Sequence, residues 1–117
     1  MRGALAGEAL IDFTGIGDLR FQGYCGGSPL NTAVAVARLG PATGFVSQLS
    51  TDLFGQRLRR HLEANGVDTR FVLSGPAPTT LAFVQPEDGG NRYVFLADRT
   101  ADTLYDPDPA PILPAET

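Results

Sequence analysis

The sequence contains no lysine and no tryptophan, and it has a single cysteine and a single histidine. Because the phosphate loop of P-loop nucleotide-binding proteins needs a lysine, the lack of lysine excludes that kind of site from these 117 residues. The lone cysteine, Cys25, cannot form an internal disulfide, which fits a reducing cytoplasm. One histidine, His61, without a cysteine pair leaves no zinc constellation, so no metal site is predicted.

Positive charge and long apolar runs are also scarce. Nine basic residues against thirteen acidic ones give a net charge of −4, which argues against a surface that binds nucleic acid or acidic membranes. The longest apolar run is far shorter than the ~20 residues of a membrane-spanning helix, and the first residues lack the pattern of a signal peptide. With 43% apolar residues, the chain is expected to form one globular, cytoplasmic unit.

What the sequence does have is a glycine pair that leads into a helix of small residues. Gly26 and Gly27 precede Ser28 and Pro29, which are a good N-cap and a good first helical residue. Glycine lets the backbone approach a ligand closely, and the N-terminus of a helix presents unpaired N–H groups. Asn31, in the first turn, can both donate and accept hydrogen bonds. This combination suits a polyhydroxylated, uncharged ligand such as a sugar.

The sequence around this helix alternates between predicted strands and helices. In order, the predicted elements are a buried strand over 4–13, a helix from 28 to 40, a strand over 44–49, a helix from 52 to about 65 and a strand over 67–73. The first strand places Asp12 near its carboxyl end. This order predicts an α/β fold, in which a parallel sheet is flanked by helices.

Two segments depart from the alternation and predict a small antiparallel β lid. Residues 14–25 predict a loop with a short edge strand, and residues 79–97 predict a hairpin that turns at Glu87-Asp88-Gly89-Gly90. In open α/β sheets ligands bind at the carboxyl ends of the strands. We therefore expect Asp12 and the segment from Gly26 to Asn31 to face one crevice. Residues 106–117 predict a proline-rich, extended tail.

Four further features have ordinary interpretations. Gly15-Ile16-Gly17 is not a dinucleotide-binding turn, because an arginine replaces the third glycine and no helix pattern follows. The arginines at 57, 59 and 60 are interpreted as a solvated helix face, and His61 as a surface or boundary residue without partners. Cys25 is interpreted as a small buried side chain.

In five segments the chain resembles the ribokinase-like (PfkB) sugar kinases, especially their fructokinase and 2-keto-3-deoxygluconate kinase branch. The segments are Gly7-Glu8-Ala9-Leu10-Ile11-Asp12, the Gly-Gly-x-x-x-Asn signature at Gly26-Gly27-Ser28-Pro29-Leu30-Asn31, the turn Ser50-Thr51-Asp52-Leu53-Phe54-Gly55, Asn65-Gly66-Val67-Asp68-Thr69, and Pro78-Thr79-Thr80-Leu81-Ala82-Phe83-Val84. In the third segment a serine replaces the first glycine of the family's Gly-x-Asp-x-x-Gly turn. The match covers nearly the whole chain, which is similar to the N-terminal portion of such a kinase.

The resemblance implies a phosphoryl transfer from ATP, with Mg²⁺, to a primary hydroxyl of a sugar. The positions that bind the sugar in this family correspond to Asp12, Gly26, Gly27 and Asn31. The β lid would close over the sugar and exclude water. Phe83 and Phe95 are candidates for its inner face, and the alternative for both is the core of the hairpin. Lids pair in some relatives, so a homodimer through the lid is also implied.

The resemblance also implies that the catalytic part of the kinase lies outside these 117 residues. The family's catalytic aspartate lies in a Gly-Ala-Gly-Asp motif of the C-terminal half, whereas Gly15-Ile16-Gly17-Asp18 lies in the wrong half and no small-residue helix follows it. No catalytic residue is therefore assigned within this chain, which is interpreted as a truncated sugar-binding part, inactive by itself. The lid tyrosine and arginine of the sugar-acid kinases fall near Leu96 and Ala97, which favours a neutral sugar such as fructose. The alternative is a non-catalytic sugar-binding or interaction module.

Overall fold

The computed structural model of the chain describes residues 3–105, which form seven β-strands, two α-helices and a short 3₁₀ helix. In chain order these are β1 (Gly3–Ala6), β2 (Leu10–Gly17), β3 (Arg20–Gly26), α1 (Ser28–Arg38), β4 (Thr43–Ser50), α2 (Leu53–Ala64), β5 (Val72–Gly75), β6 (Thr80–Glu87), β7 (Gly90–Leu96) and the 3₁₀ helix Ala101–Leu104. The predicted tail, residues 106–117, lies outside the described residues. Within the described part, neither helix is long and apolar enough to cross a bilayer.

Strands β1, β4 and β5 form a parallel core sheet in the order β1-β4-β5. Helix α1 precedes β4 and packs on β1 and β4, and helix α2 joins β4 to β5 and packs on β4. One apolar cluster lies between these elements, and its fully buried members include Leu30, Phe45, Leu58 and Leu62. Burial of each such side chain stabilises the fold by about 1.5–3 kcal/mol. The predicted α/β fold with a parallel sheet and flanking helices is confirmed.

A second sheet has the order β3-β2-β6-β7 and consists of two antiparallel hairpins, β2–β3 and β6–β7. Its two central strands, β2 and β6, pair in parallel, so the sheet is mixed and the expectation of a purely antiparallel lid is wrong. The cause is the topology. Strands β2 and β6 follow β1 and β5 of the parallel core sheet, so both hairpins leave the core in the same direction.

The predicted first strand over residues 4–13 is two strands that belong to different sheets. Strand β1 ends at Ala6, and β2 begins at Leu10 in the second sheet. Between them Gly7 donates its N–H to the Val46 carbonyl (3.2 Å), and the Ser47 hydroxyl donates to the Gly7 carbonyl (2.7 Å). Asp12 therefore lies inside β2, and its predicted position at the end of the leading core strand is wrong.

The predicted third core strand, 67–73, begins later than expected, because β5 covers only Val72–Gly75. Asp68 makes an isolated bridge with Gly44, and its carboxylate accepts hydrogen bonds from the N–H (2.9 Å) and Nε (2.7 Å) of Arg70. The Val72 N–H donates to the Thr69 carbonyl (3.0 Å), which closes a turn. This local turn competes with strand pairing and delays the strand.

The two helices begin in different ways. Helix α2 follows the prediction, since Asp52 is its N-cap and accepts a hydrogen bond from the Gly55 N–H (2.8 Å). In α1 the N-cap is Gly27, no side chain caps the helix, and Ser28 is already helical. The prediction of Ser28 as N-cap is therefore wrong by one residue, and Pro29 lies at the second helical position.

Candidate functional site

Asp12 and Asn31 line the same open cleft, which has a volume of about 580 Å³. The cleft lies where β2 of the second sheet meets the N-terminal turn of α1, and Gly27 and Phe95 also line it. The expectation that the acidic side chain and the amide share one crevice is thus confirmed. The route differs from the expected one, because Asp12 reaches the cleft from the second sheet rather than from the core sheet.

Asp12 lies in the middle of β2, opposite Tyr24 of β3 and Ala82 of β6. Burial raises the pKa of Asp12, and no hydrogen bond or charge among the described residues offsets that rise. A carboxylate without a protein partner at the wall of a cleft can accept hydrogen bonds from a ligand. Hydroxyl groups are suitable donors for it.

The glycine pair leaves room for this carboxylate. At Gly26 a Cβ atom would lie 2.1 Å from Asp12 Oδ2, so any side chain there would displace the carboxylate. Gly27 has a φ of 105°, and a Cβ there would lie 2.8 Å from the Glu8 carbonyl oxygen. Both positions therefore need glycine, the first for space and the second for its backbone conformation as well.

Asn31 lies in the first turn of α1, and its N–H donates to the Gly27 carbonyl (2.9 Å). Its side chain is exposed to the cleft. The N-cap of α1 is Gly27, which has no side chain, so the space above the first turn of the helix is open to a ligand. An amide at this point can donate to one ligand oxygen and accept from another.

Of the two aromatic candidates for the inner face of the lid, the structure places only Phe95 in the cleft. Phe95 is opposite Ala82 in the β6–β7 register, and Ala82 is opposite Asp12, so the three share one face of the sheet. Phe83 projects from the other face and stacks on Phe13, with 5.0 Å between ring centroids. Of the two interpretations of Phe83, the inner face is wrong and the hairpin core is confirmed, because Phe83 is one residue out of phase with Ala82 and packs on Phe13 and Phe21.

Several residues of the cleft were missed by the sequence reasoning. The sequence could have predicted two of them from periodicity. Leu10 lies two residues before Asp12 on a strand, and Ala35 lies four residues after Asn31 on a helix, so each shares a face with a predicted site residue. Glu8 lines the cleft from the connection between β1 and β2 and had no such signal, because that connection was predicted as strand.

The string Gly15-Ile16-Gly17-Asp18 is the end of β2 and its hairpin turn. Leu19, at the corner of that turn, has a φ of 52° and is 87% exposed. No helix follows the turn, so the string builds neither a dinucleotide site nor a phosphate-binding helix start. Among residues 3–105, no group of three histidine, cysteine or acidic side chains is placed to hold a metal ion.

Comparisons with known proteins agree on one family. The model of the pfkB family of carbohydrate kinases matches residues 5–113. A fructokinase of Rhizobium leguminosarum bv. trifolii is 38% identical over 102 residues, which are 84% of this chain and 31% of the relative. A fructokinase of Solanum tuberosum is 39% identical over 111 residues, which are 87% of this chain and 35% of the relative.

Solved structures give the same result. A crystal structure of fructokinase with bound ATP from Xylella fastidiosa has a TM-score of 0.83 and 37% identity, over 89% of this chain and 36% of that one. An uncharacterized sugar kinase from Pyrococcus horikoshii has a TM-score of 0.76 and 34% identity, over 86% of this chain and 35% of that one. The chain thus spans about a third of the length of the relatives that it matches.

Proposed function

Because the chain belongs to the pfkB family of carbohydrate kinases, we propose that it forms the sugar-binding part of a kinase that phosphorylates a hydroxyl group of a sugar with ATP. Fructose, or a related neutral sugar, is the proposed acceptor. Similarity to fructokinases supports this choice. The observation that carries the proposal is the cleft in which Asp12 and Asn31 face the same space.

In this proposal Asp12 accepts hydrogen bonds from two sugar hydroxyls, and Asn31 donates one hydrogen bond and accepts another. Gly27 keeps its part of the wall free of a side chain, so that the ring approaches the backbone closely, and Gly26, which is buried behind the wall, leaves room for the Asp12 carboxylate. The uncapped first turn of α1 adds N–H groups to the same wall. The cleft is polar and its lining includes two carboxylates, Asp12 and Glu8, which suits a neutral polyol better than a sugar acid.

The second sheet is proposed to act as the lid over the sugar. Phe95 contributes an apolar surface opposite Asn31, and closure of an apolar side chain over the sugar excludes water. Exclusion of water matters for a kinase, because water competes with the sugar hydroxyl as phosphoryl acceptor.

ATP and Mg²⁺ are proposed for the complete kinase reaction, and one structural relative is described as holding ATP. The described residues of this chain do not fit either group, since they offer no cluster of metal-ligating side chains and no lysine for a phosphate loop. We therefore assign no residue of this chain to the nucleotide, to the metal ion or to the catalytic base. These 117 residues by themselves are expected to release no ADP from ATP in the presence of fructose.

Sugar binding by the chain tests the proposal directly. Fructose is expected to raise the melting temperature and to give a saturable calorimetric titration, because a ligand of the folded state stabilises it. Asp12→Ala and Asn31→Ala should each weaken binding about tenfold or more, since each removes hydrogen bonds to the sugar. Asp18→Ala is the matched control, because Asp18 is an exposed carboxylate in the β2–β3 turn, outside the cleft.

Ribose and 2-keto-3-deoxygluconate complete the comparison. Stronger binding of 2-keto-3-deoxygluconate than of fructose would overturn the choice of a neutral sugar. Fructose affinity that is unchanged in Asp12→Ala and Asn31→Ala would overturn the site. Sustained ADP release by the 117-residue chain with fructose would contradict the assignment of the catalytic groups to residues outside it.

A further inference from the structure

A second cavity, also of about 580 Å³, lies on the other side of the β2–β3 hairpin, between the hairpin and α2. Ile11 and Phe13 line it, and these residues flank Asp12 in β2. Since successive side chains of a strand point to opposite faces, the cavity is separated from the sugar cleft by the thickness of the sheet. We propose that this cavity is a second ligand site, which binds a small amphipathic anion with an aromatic body and a carboxylate or sulfonate group.

The inner half of the cavity is an apolar wall that is fixed in place. Phe13 is held between two rings, since it stacks on Phe83 (5.0 Å between centroids) and contacts Phe54 of α2 edge to face (5.8 Å). Ile11 beside it is almost fully buried. A rigid wall of this kind receives a flat apolar ligand without first ordering its own side chains.

The outer rim of the cavity is cationic. Arg57 and Arg60 line it from α2. They are three residues apart, which places them on the same side of the helix. The ion pairs of the described residues involve other arginines, Arg70 and Arg92. Among residues 3–105 no carboxylate lines the cavity, so no anion of this described part neutralises the two guanidinium groups there.

Arg59, between them in sequence, behaves differently. Its guanidinium donates to the Val72 carbonyl (3.4 Å) and to the Ser74 hydroxyl (3.0 Å) of β5. The predicted solvated face is confirmed for Arg57 and Arg60, which are exposed, and is wrong for Arg59, which is partly buried against β5. Arg59 contacts the core sheet, whereas Arg57 and Arg60 line the cavity at its exposed side.

The charge of Arg57 reaches into the cavity. Burial lowers the pKa of His61, and the Arg57 guanidinium lowers it further, which favours the neutral imidazole. Burial raises the pKa of the Cys25 thiol, and Arg57 partly offsets that rise. Both groups line the cavity, so its described lining residues present cationic and neutral groups but no anion. This pattern is complementary to an anionic ligand with an apolar body.

Cys25 supplies a clean readout, because it is the only cysteine of the chain and lies half-buried in this lining. The test measures the rate at which N-ethylmaleimide, an uncharged reagent, alkylates Cys25 in increasing concentrations of 2-naphthalenesulfonate. Saturable protection of Cys25 is expected. The uncharged analogue 2-naphthalenesulfonamide should need a severalfold higher concentration for the same protection, because it cannot form the charge pairs with the two arginines.

The variant with Arg57→Gln and Arg60→Gln should raise the half-protecting concentration of the sulfonate by roughly fivefold, the scale of two partly exposed charge pairs. A variant with lysine at both positions should keep most of the protection. Arg38→Gln is the matched control, since Arg38 is an exposed arginine of α1 outside the cavity. For each variant, protection is calculated relative to the alkylation rate of that same variant without the sulfonate. Absence of protection, equal protection by the sulfonamide, or equal protection in the glutamine variant would overturn the proposal.

Discussion

Asp52 is the residue with the most polar contacts at the junction between α2 and the second sheet. Its Oδ1 accepts hydrogen bonds from the Gly55 N–H (2.8 Å) and from the Thr79 hydroxyl (2.6 Å), and its Oδ2 accepts from the Thr79 N–H (3.0 Å). One carboxylate thus caps a helix and fixes the residue before β6. Burial raises the pKa of Asp52, but the hydrogen bonds from Thr79 and Gly55 outweigh it, and the pKa is lowered.

Replacement of this carboxylate should reduce stability in a pH-dependent way. At pH 7, Asp52→Ala is expected to lower the free energy of unfolding by about 1–2 kcal/mol, because a helix cap and the link to Thr79 are both lost. Since the folded pKa lies below the unfolded one, the stabilisation by Asp52 is complete above the unfolded pKa and is lost as the pH falls through the folded pKa. Urea unfolding of both proteins between pH 7 and pH 3 measures this.

The difference between the two proteins should therefore shrink in acid. Asp18→Ala removes an exposed carboxylate in a hairpin turn and serves as the control, with little change expected at any pH. A difference that stays constant, or that grows as the pH falls, would contradict the role of the ionised carboxylate.

Among the elements, the two hairpins of the second sheet are tied to the 3₁₀ helix at their first strands. Asp102 accepts hydrogen bonds from the Ala9 N–H (3.2 Å), just before β2, and from the hydroxyl of Thr80, the first residue of β6. Thr100 also donates to Asp102 (3.2 Å). A single side chain therefore joins the starts of both hairpins where they leave the core sheet.

Loss of the Asp102 hydrogen bonds should make local opening of the second sheet more frequent and leave the core sheet unchanged. In Asp102→Ala, hydrogen exchange of the β2 and β6 amides is expected to be about tenfold faster, because local opening no longer breaks these hydrogen bonds. The β4 amides should exchange at the original rate. Asp98→Ala, at an exposed position near the same helix, is the control. Equal acceleration in β4 would show that Asp102 acts on the whole fold instead.

The elements also show which features the sequence could predict. Helix α2 was predicted from end to end because its signals are local: an aspartate cap, Leu58 and Leu62 four residues apart, and Gly66 after its end. The division of residues 4–13 between two sheets was not predictable, since it depends on the hydrogen bonds of Gly7 with Val46 and Ser47, about forty positions away. The rule that ligands bind at the carboxyl ends of strands predicted that Asp12 and Asn31 share one cleft, although the strand that carries Asp12 was assigned to the wrong sheet.

For the whole molecule, β7 carries four consecutive exposed apolar side chains, two on each face of the strand. Tyr93, Val94, Phe95 and Leu96 are each more than half exposed, and the rings of Tyr93 and Phe95 stack at 6.1 Å. An edge strand with an apolar face is a surface for association. This observation favours the homodimer through the lid, which stays a prediction, as does a cytoplasmic location.

Sedimentation equilibrium over a range of concentrations measures this association. Tyr93→Glu is expected to shift the chain towards monomer by roughly tenfold in the dissociation constant, because a charge replaces an exposed aromatic ring beside Phe95. Leu39→Glu changes an 83% exposed apolar side chain at the end of α1 and should have no such effect. A chain that is monomeric throughout, or equal dimers in both variants, would contradict pairing through β7.

The eight residues of β2 form a wall with Asp12 on one side and Ile11 and Phe13 on the other. Their number matters as much as their identity. Inserting or deleting one residue ahead of Asp12 in this strand would exchange the two sides, sending the carboxylate among the phenylalanines and a benzyl group into the polar cleft. A substitution in β2 can change the cleft or the second cavity separately, whereas a change in the length of this strand would disrupt both sites at once.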